Sequence, residues 1–303
     1  MEPDRDDAER AALVALLRER PARLTWPQIA AEVLETGSAL RSWHAHFPDD
    51  LFSLSEPPSA LVHAEREIEK WREAGLGFLT LLDKDYPAQL REIHELPPVL
   101  FCRGTLVDSD FGVSVVGSRA ASSRALEFAA SLAADLASRG VTVVSGLARG
   151  IDTAAHTATL DAGGRTVAVI GTGIRGYYPS ENRALQDRVA SSGLVLSQFW
   201  PDTPPRSHQF PMRNAVMSGY ARATVVVEAG EKSGARIQAR QAVAHGRPVI
   251  LTDMVVAANA WARMLVNQPG VHVASSTSEI MSVVEAIAGE GAEIRRLLSF
   301  TEG

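Results

Sequence analysis

Residues 112–152 read GVSVVGSRAASSRALEFAASLAADLASRGVTVVSGLARGID, and this stretch decides the fold. An apolar run over 112–116 ends in the turn Gly117-Ser118-Arg119. A helix is predicted over 122–138, where Leu126, Ala129, Ala130, Ala133, Leu136 and Ala137 make one stripe at helical spacing and Gly140 ends it. A second apolar run, 141–145, leads into Ser145-Gly146 and, past Gly150, into another helix. Strand, helix and strand in so short a span form the unit from which parallel sheets are built.

The same alternation continues outward. Further strands are predicted at 166–170, 193–197, 223–228, 247–251 and 270–274, with helical stretches between most of them. The fold class is therefore α/β, a doubly wound and mostly parallel sheet. Toward the N-terminus the pattern changes. Ala11, Leu13, Val14, Leu16 and Leu17 mark a helix over 7–20, Thr25 with Pro27 starts another running to about 34, and short helices are predicted at 38–46 and 60–74. Residues 1–75 read as a small acidic helical domain and 76–303 as the main domain. Within the latter, 76–110 is an extension packed on it, carrying the apolar run Phe78 to Leu82, then Asp85-Tyr86-Pro87 and Pro97-Pro98.

Composition narrows the function classes. With 46% hydrophobic and 22% charged residues, the chain reads as an ordinary globular protein. No segment has the uninterrupted apolar length of a membrane span, and residues 1–10 are acidic rather than leader-like, so no membrane partner and a cytoplasmic location are expected. Cys102 stands alone, which excludes an internal disulfide, and it reads as a small buried thiol. His44, His46, His208 and His245 lack the spacing of a metal site, so no metal is expected, nor any cofactor. The net charge of -6 is unevenly spread: residues 1–110 carry 12 Lys and Arg against 21 Asp and Glu, and 111–303 carry 18 against 15. In the second part all but one of the cations are arginine, the residue suited to bidentate phosphate contacts.

The loops after the predicted strands collect the chemistry. In a parallel sheet they emerge at one edge, where ligands bind at the switch in strand order. Their glycines let backbone amides approach a ligand, and helix N-termini add positive potential. The predicted phosphate-binding set is Gly117, Ser118, Arg119, Ser145, Gly146, Arg149, Gly150, Gly171, Gly173, Arg175, Phe210, Arg213, Asn214, Lys232, Ser233, Gly234 and Arg236. Tyr177, Tyr178, Phe199, Trp200 and Phe210 fall in the same loops, and a cationic groove interleaved with aromatics suits bases stacked along a single strand.

Other motifs fail on inspection. Gly171, Gly173 and Gly176 spell G-x-G-x-x-G, but Tyr177-Tyr178-Pro179 follows where a helix should begin, and no acidic residue stands about 20 positions on. Lys232-Ser233-Gly234 only superficially matches a nucleotide-triphosphate loop. Asp152 is expected to cap its helix or hold a loop arginine, and His156, one turn on, to form a structural pair with it. No Gly-x-Ser-x-Gly elbow supplies a nucleophile, so no catalytic residue is predicted.

Taken in order, Asp83-Lys-Asp-Tyr-Pro87, Leu96-Pro-Pro98, Val116-Gly-Ser-Arg119, Ser145 to Asp152, Ala155-His156, Gly163-Gly164, Tyr178-Pro179 with Asn182, Phe210-Pro211 with Arg213-Asn214, Val227-Glu228-Ala229, Ser233-Gly234 and Gly246-Arg247 resemble the DNA-processing protein A family, also called DprA or Smf. The resemblance implies an extended Rossmann-like domain, binding of single-stranded DNA, homodimer formation and delivery of incoming strands to the RecA recombinase in natural transformation. It also implies a DNA pocket on Gly117, Ser118 and Arg119. The chain departs from the family pattern at Ser197-Gln198, at Ala215-Val216-Met217 and at Thr252-Asp253-Met254, and the match does not extend to the C-terminal winged helix of many members. These departures bear on the RecA contact and the dimer surface.

The expected function is thus a non-enzymatic single-stranded-DNA-binding recombination mediator. The alternative is a nucleotide-binding enzyme or sensor related to nucleotide phosphoribohydrolases, although their Pro-Gly-Gly-x-Gly-Thr loop is missing here. Glu228 separates the two. In a mediator it orients loop amides or a cation such as Lys232 or Arg236, and in an enzyme it serves as general acid or base.

Overall fold

The computed structural model describes residues 3–48 and 59–299. Among these, nine strands form one sheet: β1 (Gly77–Thr80), β2 (Val99–Gly104), β3 (Gly112–Val116), β4 (Thr142–Ser145), β5 (Thr166–Val169), β6 (Leu194–Ser197), β7 (Ala223–Val226), β8 (Val249–Thr252) and β9 (Val271–Ala274). Their spatial order is β1-β2-β6-β5-β4-β3-β7-β8-β9. β3 through β9 are mutually parallel, and β1 and β2 add an antiparallel margin outside β6. Every side chain of β3, β4, β5, β6, β7 and β8 is buried, as expected for strands covered on both faces. All seven strands predicted from 112 onward are present, giving the Rossmann-like doubly wound sheet.

The covering helices are α5 (Ser123–Ser138), α6 (Ile151–Asp161), α7 (Arg183–Ser192), α8 (Gln209–Tyr220), α9 (Gly234–Ala244), α10 (Asp253–Ala258), α11 (Ala260–Leu265) and α12 (Thr277–Ser299), preceded by α1 (Pro3–Glu19), α2 (Trp26–Thr36), α3 (Ala39–His46) and α4 (Ser59–Glu73). Ser122 caps α5, its side chain accepting from Ala125 N. The line that α5 buries runs through Ala125, Ala129, Leu132, Ala133 and Leu136, so Leu126, Ala130 and Ala137 of the predicted stripe lie at its margin. α5 packs against α6 as well as the sheet, so the face it buries is shared between the two. α2 opens with a capping box in which Thr25 N donates to Gln28 Oε1 at 2.9 Å.

β2 was not foreseen. The run Val99 to Gly104 follows Pro97-Pro98, and proline pairs ordinarily mark a turn. Here they end the turn and a buried strand begins, pairing Phe101 with Ser197 of β6 and Phe78 of β1 with Phe101. The expected thiol burial holds, and it pushes Cys102 up to about 11.

One aromatic cluster fastens the N-terminal helices to this margin. Trp71 of α4 lies 5.0 Å from Phe78, 4.9 Å from Phe101 and 5.7 Å from Trp200, ring centre to ring centre. Trp26 meets Trp200 edge-on at 5.1 Å, and the Arg18 guanidinium sits 4.0 Å above the Trp200 ring while its Nη2 donates to Glu67 at 2.7 Å. Phe199 is buried and Trp200 belongs to this cluster, so neither takes part in the stacking surface predicted for them. The Asp83 to Pro87 motif serves the same junction: Asp83 accepts from Thr80 N at 2.6 Å and from Arg10 of α1, and Tyr86 Oη donates to Pro97 O at 2.7 Å.

Because Trp71 is the hub of this cluster, Trp71→Ala is expected to lower stability by about 3–5 kcal/mol, the usual range for a truncated core tryptophan. Urea unfolding followed by far-ultraviolet circular dichroism should show one transition with a reduced midpoint. Two resolved transitions in the parent protein would show that the helices fold independently of the sheet.

Candidate functional site

The strand order changes direction at β3, whose neighbours are β4 on one side and β7 on the other. The carboxyl ends of β3, β4, β5 and β7 therefore open onto one crevice. The β3 turn is held by β7: Ser118 N donates to Glu228 O at 2.7 Å, while the Glu228 carboxylate accepts from Ser122 N at 3.0 Å and Ser122 Oγ at 2.6 Å. Glu228 thus orients a loop amide, as one reading of it expects, but its partner is the helix-capping Ser122 rather than Lys232 or Arg236. The β4 loop is clamped from below. Gly150, at φ +73°, brings its α-carbon so close to Ser118 O that any side chain would collide, and Ile151 N donates to that oxygen at 3.3 Å.

Beneath both loops lies a buried arginine. Arg213 of α8 donates from Nη1 to Val169 O at 2.7 Å and to Gly146 O, and from Nε to Asn214 Oδ1 at 3.1 Å. Its guanidinium packs against the α-carbon of Gly146, where no side chain would fit. Asp152 of α6, also buried, accepts from Gly146 N at 3.1 Å and Ala148 N at 3.3 Å, so it holds loop amides rather than capping its helix or gripping a loop arginine. Burial raises the Asp152 carboxyl above its usual range, and the Arg213 charge with the two amides pulls it back. For Arg213 burial lowers the pKa and Asp152 opposes it.

Two cavities meet above this floor. One, of about 390 Å³, is walled by Arg149, Tyr177, Tyr178 and Glu181. The other, of about 680 Å³, is walled by Gly117, Ser118, Asn214 and the start of α9 at Lys232, Ser233 and Gly234. Both are lined by Arg119, Ala120, Ala148, Phe210 and Arg213, so they form a single groove with Arg119 and Phe210 at its waist. There the Arg119 Cζ lies 5.5 Å from the Phe210 ring centre, and Tyr178 stands 5.4 Å from Phe210 at a tilt of 41°. Arg119 is exposed and forms no ion pair among the described residues. The N-terminal end of α9 adds its dipole to the second cavity.

Gly146 and Gly171 also line the groove, the latter lying under Phe210. Five predicted residues do not. Ser145 is wholly buried, with Oγ donating to Val115 O at 2.7 Å. Gly173 packs on the carbonyls of Trp200 and Pro201. Arg175 pairs with Asp202 at 2.8 Å, and Arg236 donates to Glu231 O at 3.2 Å, each turned to a local acceptor outside the cavities. Gly150 supports the floor without lining it. Glu181, which no spacing singled out, stands in the groove wall.

The expected Asp152–His156 pair does not form. His156 Nδ1 lies 2.7 Å from Thr166 Oγ1, whose own proton goes to Val143 O, so the imidazole donates through Nδ1. Burial, reinforced by the Arg213 charge, pushes His156 down to about 3 and keeps it neutral. A different serine-histidine-carboxylate array exists: Ser218 Oγ is 2.8 Å from His245 Nδ1, and His245 Nε2 is 2.8 Å from Glu95. Ser218 has no exposed surface and cannot meet a substrate. Among the described residues no cluster of three or more metal-ligating side chains occurs, and no helix is long and apolar enough to cross a membrane.

A family model described as DNA recombination-mediator protein A matches residues 77–285. The chain is 41% identical over 189 residues to the DNA processing protein DprA of Streptococcus pneumoniae (strain ATCC BAA-255 / R6), covering 62% of this chain and 65% of that protein. It is 38% identical over 186 residues to the DNA processing protein DprA of Bacillus subtilis (strain 168), covering 61% and 63%. The chain thus spans less than two thirds of the length of these relatives. The X-ray structure of the Streptococcus pneumoniae protein matches with a TM-score of 0.70 at 30% identity, over 91% of this chain and 97% of that one. A Helicobacter pylori DNA processing protein A structure has the same fold, with a TM-score of 0.62 at 22% identity over 71% and 96%.

The neutral His156 makes stability depend on pH. Between its usual 6.5 and about 3, the unfolded chain binds a proton here that the folded protein does not. The contribution is complete above pH 6.5 and is lost as pH falls, by about 1.4 kcal/mol per unit. Unfolding free energies from urea titrations should therefore drop by about 2 kcal/mol between pH 7 and pH 5 from this group, and His156→Gln should flatten that part of the slope.

Proposed function

The chain belongs to the DNA recombination-mediator protein A family, and on that premise we propose that its groove holds single-stranded DNA for recombination. The observation that carries this reading is the waist of the groove, where an exposed arginine lies against an aromatic ring beside a second ring. Phosphates would meet Arg119, Arg149, Lys232 and the α9 N-terminus, over the positive floor of Arg213. Bases would stack on Tyr178 and Phe210, as aromatic platforms do along single strands. A duplex keeps its bases paired and cannot offer these faces. The Helicobacter pylori relative is described by its single-stranded-DNA binding mode, which agrees with this reading.

In this proposal residues 76–303 form the DNA-binding body and 1–75 an acidic module attached to it. The protein works as a homodimer in the cytoplasm, without catalysis, and passes strands to RecA in natural transformation. The non-enzymatic part is supported by Glu228, the carboxylate an enzyme would use. Both of its oxygens are engaged by Ser122.

A titration against single-stranded DNA, duplex DNA and mononucleotides at several salt concentrations tests the proposal. Single strands should bind best. With Arg175 and Arg236 outside the groove, three or four cation contacts remain, so log affinity against log salt should slope at roughly -2 to -3, from about -0.7 per contact. Arg119→Ala should weaken strand binding by about 1.5–3 kcal/mol, the range of a charge-assisted hydrogen bond, with unchanged circular dichroism. Preference for mononucleotides over strands, or normal binding by the folded variant, would defeat this reading.

A further inference from the structure

At the mouth of the smaller cavity a guanidinium and a carboxylate hold each other. Arg149 precedes α6, and Glu181 lies in the single turn 180–182 ahead of α7. Arg149 Nη2 donates to Glu181 Oε2 at 3.0 Å, and Nε donates to Oε1, a two-pronged ion pair. The side chains are 63% and 49% exposed, so a phosphate entering the cavity can reach both. Their backbones are fixed to each other. Asn182 Nδ2 donates to Leu147 O at 2.8 Å and to Thr153 Oγ1 at 2.9 Å, tying the 180–182 turn to the loop that carries Arg149. Only side-chain rotation frees the guanidinium, and the displaced carboxylate stays beside whatever replaces it.

We propose that Glu181 is a built-in competitor for Arg149 that makes the groove favour the internal phosphodiesters of a strand over terminal phosphate monoesters. A phosphodiester brings one negative charge to the tethered carboxylate, whereas a monoester brings about 1.5 to 2 at neutral pH. Repulsion grows in proportion to that charge, so the monoester is penalised nearly twice as strongly in free energy. A single-stranded-DNA protein with such a residue ignores the abundant mononucleotides that fit the same cavity. The inference rests on the reading of the groove as a DNA interface.

The test compares wild type, Glu181→Gln, Arg149→Ala and the double variant. The probes are a 5′-hydroxyl oligothymidylate long enough to span the groove and thymidine 5′-monophosphate. Glu181→Gln should bind the oligonucleotide about 2- to 5-fold tighter, as an exposed pair allows, and the monophosphate about 3- to 25-fold tighter. Its salt slope for the oligonucleotide should steepen by at most about 0.7, as Arg149 passes from a contact shared with Glu181 to a full phosphate contact. All three changes should shrink when Arg149 is alanine, because no cation then draws a phosphate to Glu181. No gain, an equal gain for both probes, or a gain undiminished without Arg149 overturns the inference while leaving strand binding intact. Failure of the wild type to bind the oligonucleotide overturns the DNA reading itself, and this inference with it.

Discussion

The groove exists because one guanidinium is buried under it. Arg213 ties the end of β5 to the β4 loop through their carbonyls, and Asp152 holds the amides of that same loop from the other side. Cation and carboxylate are both out of water, and each is tolerable there because the other is near and because backbone dipoles meet their remaining valences. The loops above have little else to define them. Glycines at 146 and 150 remove the side chains that would push them apart, and the charge pair supplies the attraction that sets their spacing. Arg213 was expected to grip a ligand directly. It lines both cavities, and its contacts also make it the piece that gives the ligand surface a fixed shape.

The charge distribution acquires meaning from this arrangement. An overall charge of -6 would repel a polyanion, yet the cations that matter are focused in a concave site with low-dielectric walls. Elsewhere arginines are neutralised locally: Arg10 by Asp83, Arg165 by Asp110, Arg188 by Asp161, Arg247 by Glu92. Arg119 and Lys232 differ in facing the groove itself. The surplus of arginine over lysine in this half of the chain therefore reflects several roles, of which phosphate contact is one.

The sheet was legible in the sequence because buried parallel strands are continuous apolar runs, and the runs at 112, 141, 166, 193, 223, 247 and 270 have few competing interpretations. β2 was hidden because it starts at a proline pair. In the site, glycine loops and Arg119 could be placed from local pattern, since a strand end followed by a helix start fixes where they must lie. What local pattern could not supply was the direction of each side chain. Trp200 follows a strand like a groove residue but turns back to meet Trp71. Arg175 has an acid, Asp202, waiting in the next loop. Glu181 has no motif of its own and matters only because Asn182 fastens it beside Arg149. His156 sits one turn from Asp152, yet the carboxylate is already committed to two amides, leaving the imidazole to Thr166.

The antiparallel margin also sets an order of events at the ribosome. β2 can complete its pairing only with β6, and Trp71 acquires Trp200 only when the loop after β6 exists. The first hundred or so residues must therefore wait for the second hundred, roughly 5–20 s at ordinary synthesis rates. Throughout that interval Phe78, Phe101 and Trp71 lack much of their final cover. Apolar surface exposed for that long is what makes an unfinished chain prone to aggregate, so the margin that steadies the finished fold is the part of it most at risk during synthesis.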